Sequence, residues 1–194
     1  MTWQARVLAD SLDREAWTRA RANRIGASDA GVFAKLTSAP GYARSKLNNH
    51  FTGNAYTDHG NRRESFILRA RGFDRNTLLV HSENNERHVA TPDGIRTDSG
   101  ALILAEAKTT NKPFKTIPPK YLRQVAWQQY VLGAEQTEFI WEVHEGFIPT
   151  ELDPLSLTIP RNEPMIADLI TIADRVLTLL DSANAFSKEL ENVN

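Results

Sequence analysis

Ala101-Leu102-Ile103-Leu104-Ala105-Glu106-Ala107-Lys108, with Ala90-Thr91-Pro92-Asp93-Gly94-Ile95 just upstream, is the stretch whose reading decides the fold. Residues 101–108 are an apolar run of strand length. The preceding Thr97-Asp98-Ser99-Gly100 supplies turn residues, with Gly100 free to take a positive φ, so the two stretches read as a hairpin. Side chains two apart on a strand share a face, so Glu106 and Lys108 project together while Ala105 and Ala107 project to the other side. Leu102, Ile103, Leu104 and Ala105 make both faces apolar, which places the strand centrally in a sheet, where a buried charge pair requires partners. Asp93 on one strand and Glu106 and Lys108 on the other then form a hard, oxygen-rich site suited to Mg²⁺ or Mn²⁺, with an ammonium beside it.

Outward from the hairpin, residues 109–119 form a loop with Lys112 and Lys115, closed by Pro118-Pro119 ahead of Lys120. The spacing then predicts a helix over Tyr121–Leu132, ended by Gly133, with Leu122, Val125, Ala126 and Leu132 on its core face. Gln124 and Gln128, four apart, lie together beside that stripe. Phe139, Trp141 and Val143 alternate with Glu138, Glu142 and His144, the pattern of a half-buried strand. A strand over 155–159 and a helix over 162–180 follow.

Upstream, residues 78–83 and 87–95 read as antiparallel strands joined by Asn84-Asn85-Glu86. Asp13 caps a helix to about Asn23 that carries Arg21, and Ser28 after Ile25-Gly26-Ala27 caps a second helix to Leu36. Residues 41–50 form a further short helix, and 57–71 a longer one closed by Gly72, with Phe66, Ile67 and Ala70 as its buried stripe. Its Glu64 lies one turn from Gly60, beside the stripe, and pairs by default with Arg62 or Arg63. The five histidines, at 50, 59, 81, 88 and 144, share no ligand spacing and read as structural or exposed.

At 194 residues the chain reads as one domain: an N-terminal helical part over about 1–75, a sheet-and-helix part over about 76–185, and a short C-terminal tail. Absence of cysteine excludes a disulfide framework, a thiolate nucleophile and an iron–sulfur cluster. No apolar run reaches membrane-spanning length and no signal-peptide pattern opens the sequence, so a cytoplasmic location is expected. Net charge is −1, but unevenly spread: residues 1–75 hold 13 Lys and Arg against 7 Asp and Glu, whereas residues 76–194 hold 10 against 17. The basic half is the better grip for phosphates and the acidic half for a metal ion.

Pro92-Asp93 followed by Glu106-Ala107-Lys108 resembles the PD-(D/E)xK nuclease superfamily, with its central mixed β-sheet flanked by α-helices. In order with Arg21-x3-Ile25-Gly26-x-Ser28-Asp29, Gly60-x3-Glu64 and Tyr121-x2-Gln124, over residues 17–143, the set resembles the phage-type (lambda exonuclease-like, YqaJ viral recombinase) exonucleases. The resemblance implies an Mg²⁺-dependent enzyme that degrades one strand of duplex DNA from its 5′ end, leaving a 3′ overhang for a single-strand annealing protein. It implies Asp93, Glu106, the Ala107 carbonyl and Glu64 as metal ligands, Lys108 orienting or deprotonating water, and Gln124 lining the site. Arg21 and Ser28 would hold the 5′ phosphate. The family often carries Q-x-Q on the last helix, where this chain has Ala126, with Gln128 as a substitute on the same face. Members can form trimeric rings; no residue of this chain marks a homotrimer. A sequence-specific endonuclease on the same fold and a non-catalytic DNA-end-binding protein are the competing readings.

Overall fold

The computed structural model describes residues 2–48 and 55–191. Its centre is a mixed sheet of five strands: β4 (Gly94–Asp98), β5 (Ala101–Thr110), β6 (Gln136–Glu145), the short β7 (Ile148–Pro149) and β8 (Leu155–Pro160). Strand β5 pairs antiparallel with β4 and parallel with β6, and β8 joins β6 antiparallel. A smaller antiparallel sheet is made by β1 (Val7–Asp10), β2 (Leu78–His81) and β3 (Val89–Ala90). Helices α1 (Arg14–Arg21), α2 (Ala27–Gly31), α3 (Ala39–Leu47), α4 (Ala55–Ala70), α5 (Pro119–Leu132) and α6 (Glu163–Glu191) flank the sheets. Among the described residues no helix is long and apolar enough to cross a membrane.

The central position expected for residues 101–108 holds. Leu104, Ala105 and Glu106 are fully buried on β5, because α4 packs on one face and α5 on the other. Asp98 pairs with Ala101, so Ser99 and Gly100 form a two-residue turn with φ of 49° and 85°, the twist that suits a tight hairpin. Because β5 and β6 run parallel, the chain must cross the sheet between them, and α5 is that crossover. It ends at Gly133, φ 78°.

Several expectations are corrected. The strand expected over 87–95 is split: β3 closes the small sheet and β4 begins the large one, with Thr91-Pro92-Asp93 between them. Pro92 has no N–H to give a ladder, so the chain changes sheets there. Strand β6 is covered on both faces: Glu142 and His144 are buried, and Arg63 from α4 pairs with Glu142. On α4 the buried hydrophobic residues described are Ile67 and Leu68, while Phe66 is exposed under the Arg63 guanidinium and Ala70 is exposed. Helix α2 stops at Gly31 and is capped by Gly26, leaving Ser28 inside the helix. Helix α6 runs on to Glu191, through the expected tail. Strand β1 was not legible as a strand. The predicted 41–50 helix is observed as Ala39–Leu47, and His50 lies outside the described residues. His59, His88 and His144 are buried, and His144 also lines the cleft beside Asp93.

Candidate active site

The segment between β3 and β4 sets Asp93 against the middle of β5, beside Glu106 and Lys108. Asn76 fixes that segment from below. Its N–H donates to the Asp93 carbonyl at 2.7 Å and its side-chain amide to the Pro92 carbonyl at 2.8 Å. The Asp93 carboxylate in turn accepts the Ala107 N–H through Oδ2 at 2.8 Å, and its Oδ1 has no hydrogen-bond partner among the described residues.

Glu106 is 0 % exposed and surrounded by donors. Its Oε1 accepts from the Lys108 ammonium and from the Gln124 amide; its Oε2 accepts from Gln128 at 2.6 Å. A bare carboxylate would be costly there, and these donors, one of them charged, offset the desolvation. The α5 crossover thus delivers two glutamines, one turn apart, to the two oxygens of one carboxylate. Ala126 faces the apolar core, and Gln128 takes the supporting place on the same side as Gln124.

Lys108 also donates to the Ala107 carbonyl at 3.2 Å, and its ammonium sits 5.4 Å from the Tyr121 ring centroid. Burial alone would pull the Lys108 pKa down. Glu106 and Asp93, with the hydrogen bond to Glu106, outweigh that and raise it, so the side chain is an ammonium. Burial, then the neighbouring Glu106 charge, drives the Asp93 carboxyl well above the usual aspartate range; Glu64 adds to the rise, while Lys108 and the Ala107 N–H oppose it. Negative charge is therefore in excess at this point, a condition that a bound cation relieves.

Two cavities meet here. A cleft of about 570 Å³ runs over Asp93, Ala107 and Lys108, between Gly60, Asn61 and Glu64 of α4 and Lys120 and Tyr121 at the start of α5. A smaller pocket of about 200 Å³ contains Arg21, Ser28, Arg75, Thr91 and Gln124, and shares Glu64 and Asp93 with the cleft. Glu106 lies beneath the surface of both.

All the expected site residues thus converge around Asp93, although their partners differ from those expected. Glu64 borders both cavities, yet its carboxylate pairs with Arg75 at 2.7 Å and not with Arg62 or Arg63. Arg21 lies 3.4 Å from Ser28 Oγ, with its guanidinium carbon 4.5 Å from the Trp17 ring centroid. A Cβ on Gly26 would stand 2.9 Å from Arg21 Nη2, so the glycine is what lets the guanidinium lie there. Asp29 accepts the Gly26 N–H at 2.8 Å and pairs with Lys46 at 2.8 Å, which fixes the turn.

Three contributors carried no motif that would have revealed them. Arg75 and Asn76 come from an irregular connection, and Thr91 Oγ1 is buried without a hydrogen-bond partner in the wall of the smaller pocket. Only the position of Thr91 two residues before Asp93 could have marked it.

The donor set fits a hard divalent cation. Among the described residues no three His, Asp or Glu side chains gather tightly enough to enclose an ion. What the site offers is two carboxylates and a main-chain carbonyl, all oxygen, and Mg²⁺ binds in this way through one or two carboxylates while keeping several waters.

No family model matches the chain, and no curated protein sequence does. Solved structures do. An alkaline exonuclease, LHK-Exo, from Laribacter hongkongensis superposes with a TM-score of 0.70 at 22 % identity, over 93 % of this chain and 100 % of that one. The same enzyme in complex with dAMP gives 0.69 at 21 %, with the same coverage. A phage-related exonuclease from Haemophilus somnus 129PT gives 0.62 at 15 %, over 81 % of this chain and 86 % of the other. The mixed α/β architecture that sets Asp93, Glu106 and Lys108 beside one another is thus the fold this chain shares with these two exonucleases.

Proposed function

We propose that this protein is a metal-dependent deoxyribonuclease that degrades duplex DNA from its ends, in the 5′-to-3′ direction, as the phage-type exonucleases do. One observation carries the reading: an arginine-lined pocket adjoins a carboxylate–lysine cleft, with Glu64 and Asp93 lining both. A pocket that holds a terminal phosphate through Arg21 and Ser28 fixes the adjoining phosphodiester near Asp93 and Lys108. Charge selects the end, and no base is read. The fold shared with two exonucleases agrees with this reading.

Asp93, Glu106 and the Ala107 carbonyl would hold Mg²⁺, or Mn²⁺, with Glu64 at the rim. The ion, when bound, supplies a hydroxide at neutral pH and neutralises charge on the phosphate. The chain does the positioning. Gln124 and Gln128 fix both oxygens of Glu106, so that carboxylate cannot rotate. Lys108 is the counter-ion of Glu106 in the metal-free protein; with the ion bound it would orient or deprotonate the attacking water beside the phosphate. The 3′ overhang left behind would be the substrate of a single-strand annealing protein.

A linear duplex labelled at either its 5′ or its 3′ terminus, incubated with Mg²⁺ or with EDTA beside a closed circular duplex, tests the proposal. Early release of the 5′ label, in Mg²⁺ alone, is expected. Opening of the circle would make the protein an endonuclease, and early release of the 3′ label would reverse the polarity.

A further inference from the structure

We propose that Arg75 is a second phosphate-binding residue of the end pocket, held in place by Glu64. The inference rests on the proposed reading of that pocket as the seat of a 5′-terminal phosphate.

Arg75 lies between α4 and β2, and its backbone is tied to Gly94 by an isolated antiparallel bridge. The next residue, Asn76, is bonded to the carbonyls of Pro92 and Asp93. The main chain at Arg75 is therefore fixed to the segment that carries Asp93, one wall of the pocket. Its side chain is 43 % exposed and lines the pocket that also contains Arg21, Ser28 and Thr91.

A guanidinium has five N–H donors. Arg75 uses Nε on Glu64 Oε1 at 2.7 Å, and its two terminal nitrogens have no partner among the described residues. The ion pair thus leaves the fork of Arg75 available while limiting its rotation, and a forked donor matches two oxygens of a phosphate.

Charge leads to the same conclusion. Glu64 and Asp93 both border the pocket, and a phosphate monoester entering beside them meets repulsion that Arg21 alone must offset. Arg75 neutralises Glu64, which leaves Arg21 to face the phosphate, and its terminal N–H groups add donors. Glu64 is then a positioning residue for Arg75 as well as a rim carboxylate of the cleft.

The test is equilibrium binding in EDTA, so that nothing is cleaved. Fluorescence anisotropy compares two hairpin duplexes that differ only in a 5′ phosphate or a 5′ hydroxyl. Wild type should prefer the phosphorylated end. Arg75→Gln should weaken binding of that end by about tenfold or more, the scale of a charge-assisted contact, with little change for the hydroxyl end. Arg75→Lys, which keeps the charge and loses the fork, should fall between them. A purely structural Arg75 would instead weaken both ends equally or lower thermal stability without altering the ratio. An unchanged ratio in folded Arg75→Gln and Arg75→Lys overturns the proposal and leaves the end pocket standing. No preference in wild type overturns the end pocket itself, and this inference with it.

Discussion

Two glutamates border the same chemistry and are held in opposite ways. Glu106 is 0 % exposed on the central strand, and each of its oxygens is fixed by donors from β5 and from the α5 crossover. Glu64 is 19 % exposed on α4, with one partner, an arginine from an irregular connection. A buried carboxylate with several fixed donors has one arrangement, and rearranging it would strand charge in the interior. An exposed ion pair exchanges partners at little cost. On the proposed reading, the β5–α5 wall would serve chemistry that tolerates no displacement, and Glu64 with Arg75 would serve to receive a substrate.

The largest expected effect tests the first half of that contrast. Asp93→Asn and Glu106→Gln should each lower single-turnover cleavage by more than about 100-fold, the scale on which one preorganised electrostatic contact is lost. Binding of a DNA end in EDTA should be retained. Glu64→Gln should cost at least tenfold less turnover than Glu106→Gln, and equal losses would break the comparison.

Arg21→Ala tests the second half. It removes a charge-assisted contact of about 1.5–3 kcal/mol, which is 10- to 150-fold in affinity. The loss should appear in the ratio of phosphorylated to hydroxyl ends, with single-turnover rate at saturating DNA little changed. An unaltered ratio would remove Arg21 from the pocket.

The two glutamines sharpen the contrast further. Gln128→Leu leaves the buried Oε2 of Glu106 without its donor and should destabilise the protein by about 1–3 kcal/mol in denaturant unfolding. Gln124→Ala should destabilise less, because Lys108 still donates to the same oxygen. A larger cost for Gln124 would show that the cleft-side amide carries the wall.

The smallest effect is in the pH dependence of the metal-free protein. Burial first, and Glu106 second, raise the Asp93 pKa, so the folded state keeps this proton to higher pH than the unfolded chain does. The carboxyl therefore favours folding below its ordinary value of 3.8, and that contribution is lost as pH rises through the raised folded value. In EDTA, Asp93→Asn should melt higher than wild type above that window, by about 2–4 °C for each kcal/mol of repulsion relieved. Identical melting curves from pH 4 to pH 8 would show that the cluster carries no excess charge.

The same contrast explains what could be read in the sequence. The β5–α5 wall was legible because periodicity generates it. An apolar run too hydrophobic for a surface strand has to be central, and residues two apart on it, or four apart on a helix, have to share a face. Even Gln128 followed from that spacing. The α4 wall was legible only in part. Glu64 was placed by its distance from Gly60, but its partner was misassigned to arginines on its own helix, because local pairing is the default and Arg75 arrives through tertiary structure. Thr91 and Asn76 act through a chain segment that changes sheets, and no periodicity describes such a segment. Ser28 was misread as a cap for a related reason: Gly26 caps the helix with its backbone, which leaves the serine side chain beside Arg21.

The parallel pairing of β5 with β6 has a consequence for synthesis. A nascent chain that has emerged as far as Thr110 already contains Asp93, Glu106 and Lys108, yet its central strand has one neighbour, and Glu106 has neither glutamine. The helix bearing Gln124 and Gln128 comes only after Thr110, and it packs on α2 and β3, which are already in place, before β6 follows to pair with β5. Assembly of the charged cluster thus waits for the α5 crossover, which brings both glutamines to Glu106.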